Sequence, residues 1–139
     1  GGLGLMGEAA RSANQSGSWV TGIITRELLQ LEKKIPFCSK QVVVNSMSQR
    51  KNLMINSADV FLILPGGIGT LDELFEVWTT KQLGEHNKTI IIMNYKNYFD
   101  SLLGFIRKMI KEDFLLLKHF ENIIVCKTIE EIFTELGKF

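Results

Sequence analysis

The chain reads as an α/β protein, a Rossmann-like doubly wound parallel sheet with helices on both faces. Three observations predict this. Short apolar, β-branched runs alternate along the chain with segments whose apolar residues recur every three or four positions. Two of these runs, Gln41–Val44 and Val60–Leu64, pass straight into polar or glycine-rich turns that open helices. The second run, Val60-Phe61-Leu62-Ile63-Leu64, is apolar on both alternating faces, as suits a buried parallel strand.

The elements follow in order. Leu5 to Gln15 is a small-residue helix, and Gly17 supplies the break after it. Trp19 to Ile24 is a strand, and Arg26 to Lys34 has helical character that Pro36 ends. Val42 to Asn45 is the next strand, followed by a helix from Met47 to Ser57 with Ser46-x-x-Gln49 as its capping box. After the strand Val60–Leu64, a helix from Thr70 to Leu83 presents Leu71, Leu74, Phe75 and Trp78 at intervals of three and four, the mark of a core or subunit-interface stripe. Gly84 closes that helix. Thr89–Met93 is a strand of continuous hydrophobes and Tyr98–Ile110 a helix. Ile123–Val125 is the last strand, and Ile129–Leu136 a final helix that ends at Gly137.

No repeat, linker or low-complexity segment divides the 139 residues, and 45% hydrophobic content is enough for the core of one domain, residues 1–139. The opening Gly1-Gly2-Leu3-Gly4-Leu5-Met6-Gly7 is a glycine turn entering a helix, which in such a fold should follow a strand. The expectation is therefore an amino-terminally truncated domain, with its first strand or strands missing from this chain. Loss of those strands would leave unpaired sheet edges.

Composition excludes several classes. Sixteen basic against fifteen acidic residues give no field for nucleic acid or an acidic membrane. The opening residues lack the charged and apolar regions of a signal peptide. Cys38 and Cys126 have no C-x-x-C spacing, which points to reduced thiols and a cytoplasmic setting. His86 and His119 are isolated, so both read as surface or structural residues and no metal is expected.

Chemistry concentrates at two strand-to-helix junctions. In Pro65-Gly66-Gly67-Ile68-Gly69-Thr70-Leu71-Asp72-Glu73 a turn of glycines precedes a helix. Helix N-termini carry unpaired N–H groups and the positive end of the peptide dipoles, and glycines let an anion approach them closely. The backbone from Gly66 through Gly67, Ile68 and Gly69 to Thr70, with the Thr70 hydroxyl, is thus a candidate phosphate cradle. It matches neither the Walker pattern nor G-x-G-x-x-G. Thr70-x-x-Glu73 also fits a capping box, which would make Glu73 a structural residue. The second junction is Met47-Ser48-Gln49-Arg50-Lys51. Arg50 and Lys51 fall near the start of a helix, where cations oppose the dipole, and a bound anion would reverse that penalty. The alternative is that both point into water.

Met47-x-x-Arg50-Lys51 followed by Pro65-Gly66-Gly67-x-Gly69-Thr70-x-x-Glu73 resembles the paired signature of the lonely-guy family, the cytokinin riboside 5′-monophosphate phosphoribohydrolases, long labelled "possible lysine decarboxylase". The resemblance runs along the whole chain through Gly4-Leu5-Met6-Gly7, Thr25-Arg26-Glu27-Leu28, Gln82-Leu83-Gly84, Asn94 and Tyr98. It implies a hydrolase that cleaves the N-glycosidic bond of AMP or an N6-substituted AMP, releasing free base and ribose 5-phosphate without a cofactor. Arg50 and Glu73 match the two residues regarded as catalytic. Glycosidic cleavage builds positive charge on the ribose, which the carboxylate of Glu73 would stabilise, or it would orient the attacking water. Arg50, too basic to give up a proton readily, would act by hydrogen bonding or charge.

By the same resemblance, Glu27 is a candidate for the purine side of the substrate, while Met47, Lys51 and Asp72 complete the substrate-binding set. Asp72 stands where the family commonly has a second glutamate. Thr79-Thr80, with Trp78 shifted forward, replaces a Thr-Trp pair of the pocket wall. A homodimer or higher homo-oligomer is implied, with Leu74, Phe75 and Trp78 as its apolar contact. A non-catalytic nucleotide-binding or carrier protein of the same fold is the alternative. Decarboxylation fails on chemistry, because it needs a pyridoxal phosphate held by a Schiff-base lysine, and no lysine here sits in a recognisable motif for that cofactor.

Overall fold

The computed structural model describes residues 4–32 and 37–138. The chain forms two compact units, residues 1–58 and 59–139.

In the first unit, α1 (Gly4–Gln15) leads to β1 (Thr21–Thr25), α2 (Arg26–Glu32), β2 (Lys40–Val44) and α3 (Met47–Ser57). Gly17, at φ 81°, stops α1 in the left-handed conformation that glycine adopts without strain. β1 and β2 run parallel, in register from Thr21 opposite Lys40 to Thr25 opposite Val44. Trp19 is not in the strand as expected, but lies before it and is 74% exposed. The reason is local: the carbonyl of Val20 accepts the N–H groups of Ser39 and Lys40, while the Ser39 hydroxyl accepts the N–H of Val20, so the ladder begins only at Thr21. The same contacts start β2 at Lys40, two positions before the predicted Val42. Lys33, Lys34 and Pro36, assigned to the end of α2, lie outside the described residues.

The second unit is a three-stranded parallel sheet in the order β3 (Val60–Ile63), β4 (Thr89–Met93), β5 (Ile123–Cys126). With it go α4 (Ile68–Gln82), α5 (Asp100–Lys111), a short α6 (Leu117–Phe120) and α7 (Ile129–Leu136). Strand alternation puts Ile91 and Met93 on one face, where they cluster with Cys126 and Ile132 of α7. Ile90 and Ile92 point the opposite way and are equally buried, so β4 is the strand covered on both faces. The sequence assigned that role to Val60–Leu64. There, Leu62 is 44% exposed, and among the described residues β3 pairs with β4 alone.

The class and the parallel pairing are those the sequence predicts, with the strands falling into two small sheets. Gly84, at φ 81°, ends α4 as expected: its N–H donates to the carbonyl of Lys81 and that of Glu85 to Thr80. The apolar stripe of α4 divides, because Leu74 and Trp78 are buried within the chain and Phe75 is 40% exposed. The Trp78 indole donates to the carbonyl of His119 and lies beside the rings of Phe75 and Phe120. Trp78 therefore belongs to the core and not to a subunit contact. Among the described residues, no helix is long and apolar enough to cross a membrane.

Candidate active site

Polar residues collect in both units at the carboxyl ends of the parallel strands, where ligands of α/β folds sit. In the first unit, Thr25 ends β1, and its hydroxyl accepts the N–H of Leu28 to start α2. Arg26 donates from Nε to Oδ1 of Asn45 at 2.9 Å, joining the segment after β1 to the one after β2. α3 then opens with the predicted cap: the Ser46 hydroxyl accepts the N–H of Gln49, and the Gln49 side chain accepts the N–H of Asn45, one residue before the cap.

That box fixes the first turn of α3, which carries Met47, Arg50 and Lys51. Arg50 does not point into water. It is 9% exposed and donates from Nε to the carbonyl of Ile23 at 3.0 Å, inside β1. A guanidinium is always charged, so burying it near a helix N-terminus carries a cost that this carbonyl helps to offset. Lys51 is half-buried, and Met47 and Glu27 are exposed. Glu27, Met47, Arg50 and Lys51 thus share the carboxyl end of one strand pair.

In the second unit the helix begins differently from the prediction. α4 starts at Ile68 with Gly67 as its cap, so Thr70 is not a cap and Thr70-x-x-Glu73 is not a capping box. The N–H groups of Thr70 and Leu71 both donate to the carbonyl of Gly67, and no side chain caps the helix. Among the described residues, the amides of Gly67, Ile68 and Gly69 meet no partner, and all three residues are exposed.

The glycines of this turn differ in purpose. A Cβ on Gly66 would stand 2.2 Å from the Thr70 hydroxyl and 2.9 Å from its Cβ, so Gly66 is required by the way Thr70 folds over it. A Cβ on Gly67 or Gly69 would meet nothing within 4 Å. Neither has a positive φ, so the fold itself demands glycine at neither position. Inside the helix, at Gly69, glycine is a local disadvantage of about 0.5–1 kcal/mol relative to alanine, whereas at the cap, Gly67, it is a favoured residue. Its use there suits a backbone that something outside the protein must approach. Asp72 is exposed and Glu73 half-buried, both on the first two turns of α4 beyond this open end.

Sequence reasoning quoted Asn94 and Tyr98 without giving them a role, and began a helix at Tyr98. The helix α5 begins at Asp100, and Tyr98 lies in the connection before it, where its hydroxyl donates to the carbonyl of Gly66 at 2.8 Å. His86 is structural, as expected: its Nδ1 accepts the N–H of Lys88, which leaves Nε2–H to donate to the carbonyl of Val77. Lys81 donates to the carbonyl of Lys88, and partial burial lowers its pKa from the ordinary lysine range. Burial raises the pKa of both the Cys38 and the Cys126 thiols, and neither is in a disulfide. Among the described residues, no three His, Cys, Asp or Glu side chains gather as a metal site.

Parallel strands alternating with helices, in each of the two units, make this an α/β protein. Residues 6–136 match the family described as "Possible lysine decarboxylase", and the chain belongs to it. It is 37% identical over all of its 139 residues to the cytokinin riboside 5′-monophosphate phosphoribohydrolase LOG3 of Arabidopsis thaliana, covering 65% of that relative. It is 39% identical over 129 residues to the cytokinin riboside 5′-monophosphate phosphoribohydrolase of Rhodococcoides fascians, aligning 92% of this chain with 65% of that relative. A Mycobacterium tuberculosis protein of the same name is 31% identical over 129 residues, 93% of this chain and 69% of its own length. The chain therefore spans about two thirds of the length of these relatives. They carry the name of a phosphoribohydrolase, not of a decarboxylase.

Proposed function

We propose that the protein hydrolyses the N-glycosidic bond of an adenine or N6-substituted adenine nucleoside 5′-monophosphate, giving free base and ribose 5-phosphate. The observation that carries this reading is the open end of α4, where the amides of three exposed residues meet no partner among the described residues, and where the fold does not require glycine at Gly67 or Gly69. A phosphate would take hydrogen bonds from Gly67, Ile68 and Gly69, with Gly66 and Thr70 shaping the turn. The helix dipole would favour its charge.

With the phosphate held there, the ribose would lie along α4 toward Glu73. The carboxylate stabilises the oxocarbenium-like ribose or orients the attacking water. Arg50, which matches the family's catalytic arginine, is assigned a fixed positive charge and hydrogen bonding, and its Nε is anchored on the carbonyl of Ile23. Lys51 supports phosphate or ribose, Met47 and Asp72 line the substrate, and Glu27 meets the purine. In this reading residues 1–139 are one nucleotide-binding domain of a cytoplasmic enzyme that assembles as a homodimer or higher homo-oligomer. Phe75, the exposed member of the α4 stripe, is the residue offered for that contact.

The test is incubation of the intact protein with AMP and with isopentenyladenosine monophosphate, followed by chromatography for free base. Release of base that Glu73→Gln abolishes is the expected result. Tight nucleotide binding with no released base, unaltered by that substitution, would establish the carrier reading instead.

A further inference from the structure

We infer that Tyr98 is a positioning residue for substrate phosphate: by holding the Gly66 carbonyl, it aims the Gly67 amide at the anion. The inference rests on the reading of Gly66–Thr70 as the phosphate cradle. In a trans peptide the carbonyl and the N–H that follows it point in opposite directions, and the described chain has no cis bond. Whatever fixes the oxygen of Gly66 therefore fixes the direction of the N–H of Gly67. The Tyr98 hydroxyl does so at 2.8 Å, across 32 positions of sequence.

The connection carrying Tyr98 is built to deliver it. Asn94, 2% exposed at the end of β4, donates its N–H to the carbonyl of Cys126 at 2.7 Å. Its side chain accepts the N–H of Phe99 and donates to the carboxylate of Asp100, each at 2.7 Å. The loop is thereby clamped at both ends. Between the clamps, Lys96 and Asn97 are both left-handed, with φ of 49° and 61°, a conformation that lysine seldom adopts unless its surroundings impose it. Phe99, 2% exposed, packs edge-on behind the Tyr98 ring with centroids 5.0 Å apart.

Tyr98 itself is 57% exposed, so the core has little need of its hydroxyl, and a solvent-facing phenol would lose little by bonding water instead. A buried asparagine, two left-handed residues and a buried aromatic all serve to bring one exposed hydroxyl onto one backbone carbonyl of the glycine turn. Since the hydroxyl reaches the turn and not the reacting bond, its effect falls on binding of the phosphate and not on bond cleavage.

The experiment compares Tyr98→Phe and Thr70→Val with the parent in the intact protein, by steady-state kinetics on AMP and by calorimetry with ribose 5-phosphate. For Tyr98→Phe we expect KM for AMP and the dissociation constant for ribose 5-phosphate to rise together by about fivefold, the equivalent of about 1 kcal/mol for one hydrogen bond. The turnover number and the melting temperature should stay at the parent values, and adenosine, which has no phosphate, should inhibit both proteins equally. If Thr70→Val weakens ribose 5-phosphate and Tyr98→Phe does not, the positioning role is overturned while the phosphate cradle stands. If neither substitution weakens it, the cradle reading falls and the inference with it. A loss of turnover and of stability at unchanged KM would make Tyr98 merely structural and also overturn the inference.

Discussion

The helices that follow β2 and β3 begin in opposite ways. At α3 the protein closes its own helix end, with Ser46 taking the amide of Gln49 and Gln49 reaching back to Asn45. α7 repeats the device, since the Thr128 hydroxyl accepts the N–H of Glu131, whose carboxylate accepts that of Lys127. At α4 no side chain does this, and among the described residues the amides of Gly67, Ile68 and Gly69 meet no partner. Where the helix end is closed, the work passes to a side chain, Arg50, which is buried and pinned to a strand carbonyl. Where it is open, the backbone itself is offered, and Tyr98 braces it from a neighbouring connection. The contrast separates a junction that buries a fixed charge from one whose backbone is left open, the one proposed to receive the phosphate.

The strongest way to break this comparison is at the proposed chemistry. Glu73→Gln should lower turnover of AMP by about a thousandfold while leaving the fold and ribose 5-phosphate binding near the parent values. Equal turnover in the variant would remove Glu73 from the mechanism. Next in size is Gly67→Asp, which gives α4 the kind of cap that α3 has. A Cβ there meets nothing within 4 Å, so the variant should be as stable as the parent or slightly more so. AMP binding should weaken by about a hundredfold, because a carboxylate would stand where the phosphate belongs. Calorimetry and a melting curve on the same sample read both effects.

Gly66→Ala sharpens the distinction between glycines. Its methyl would collide with Thr70, so a loss of about 1–3 kcal/mol in stability is expected from denaturant unfolding, together with weaker AMP binding. Smallest is Ser46→Ala at the closed junction. It should cost about 1 kcal/mol of stability, seen as a lower unfolding midpoint, and change activity only as far as Arg50 moves.

Much of this was legible in the sequence because it is local. Ser46-x-x-Gln49 and Gly84 announce a helix start and a helix stop within a few residues, and both are found. The start of α4 misled because Thr70-x-x-Glu73 has the spacing of a capping box, whereas a glycine cap leaves no side-chain signal to read. The exposure of Leu62 and the burial of Ile90 depend on which strand has neighbours on both sides, a property of the sheet order and not of the run itself. The Tyr98 contact with Gly66 and the Arg50 contact with Ile23 join residues 32 and 27 positions apart. No periodicity or local propensity encodes such a pair. The sequence marked Arg50 as chemically important and could not tell that it would be buried.

The central claim is the proposed one, that the open end of α4 takes the phosphate of the nucleotide. A nitrogen-resolved NMR titration of the Glu73→Gln protein with AMP tests it most directly, since that variant binds without consuming the ligand. The account predicts that the amides of Gly67, Ile68 and Gly69 respond along one saturation curve with a single dissociation constant. Turn amides that stay still while other amides of the protein saturate with AMP would contradict it.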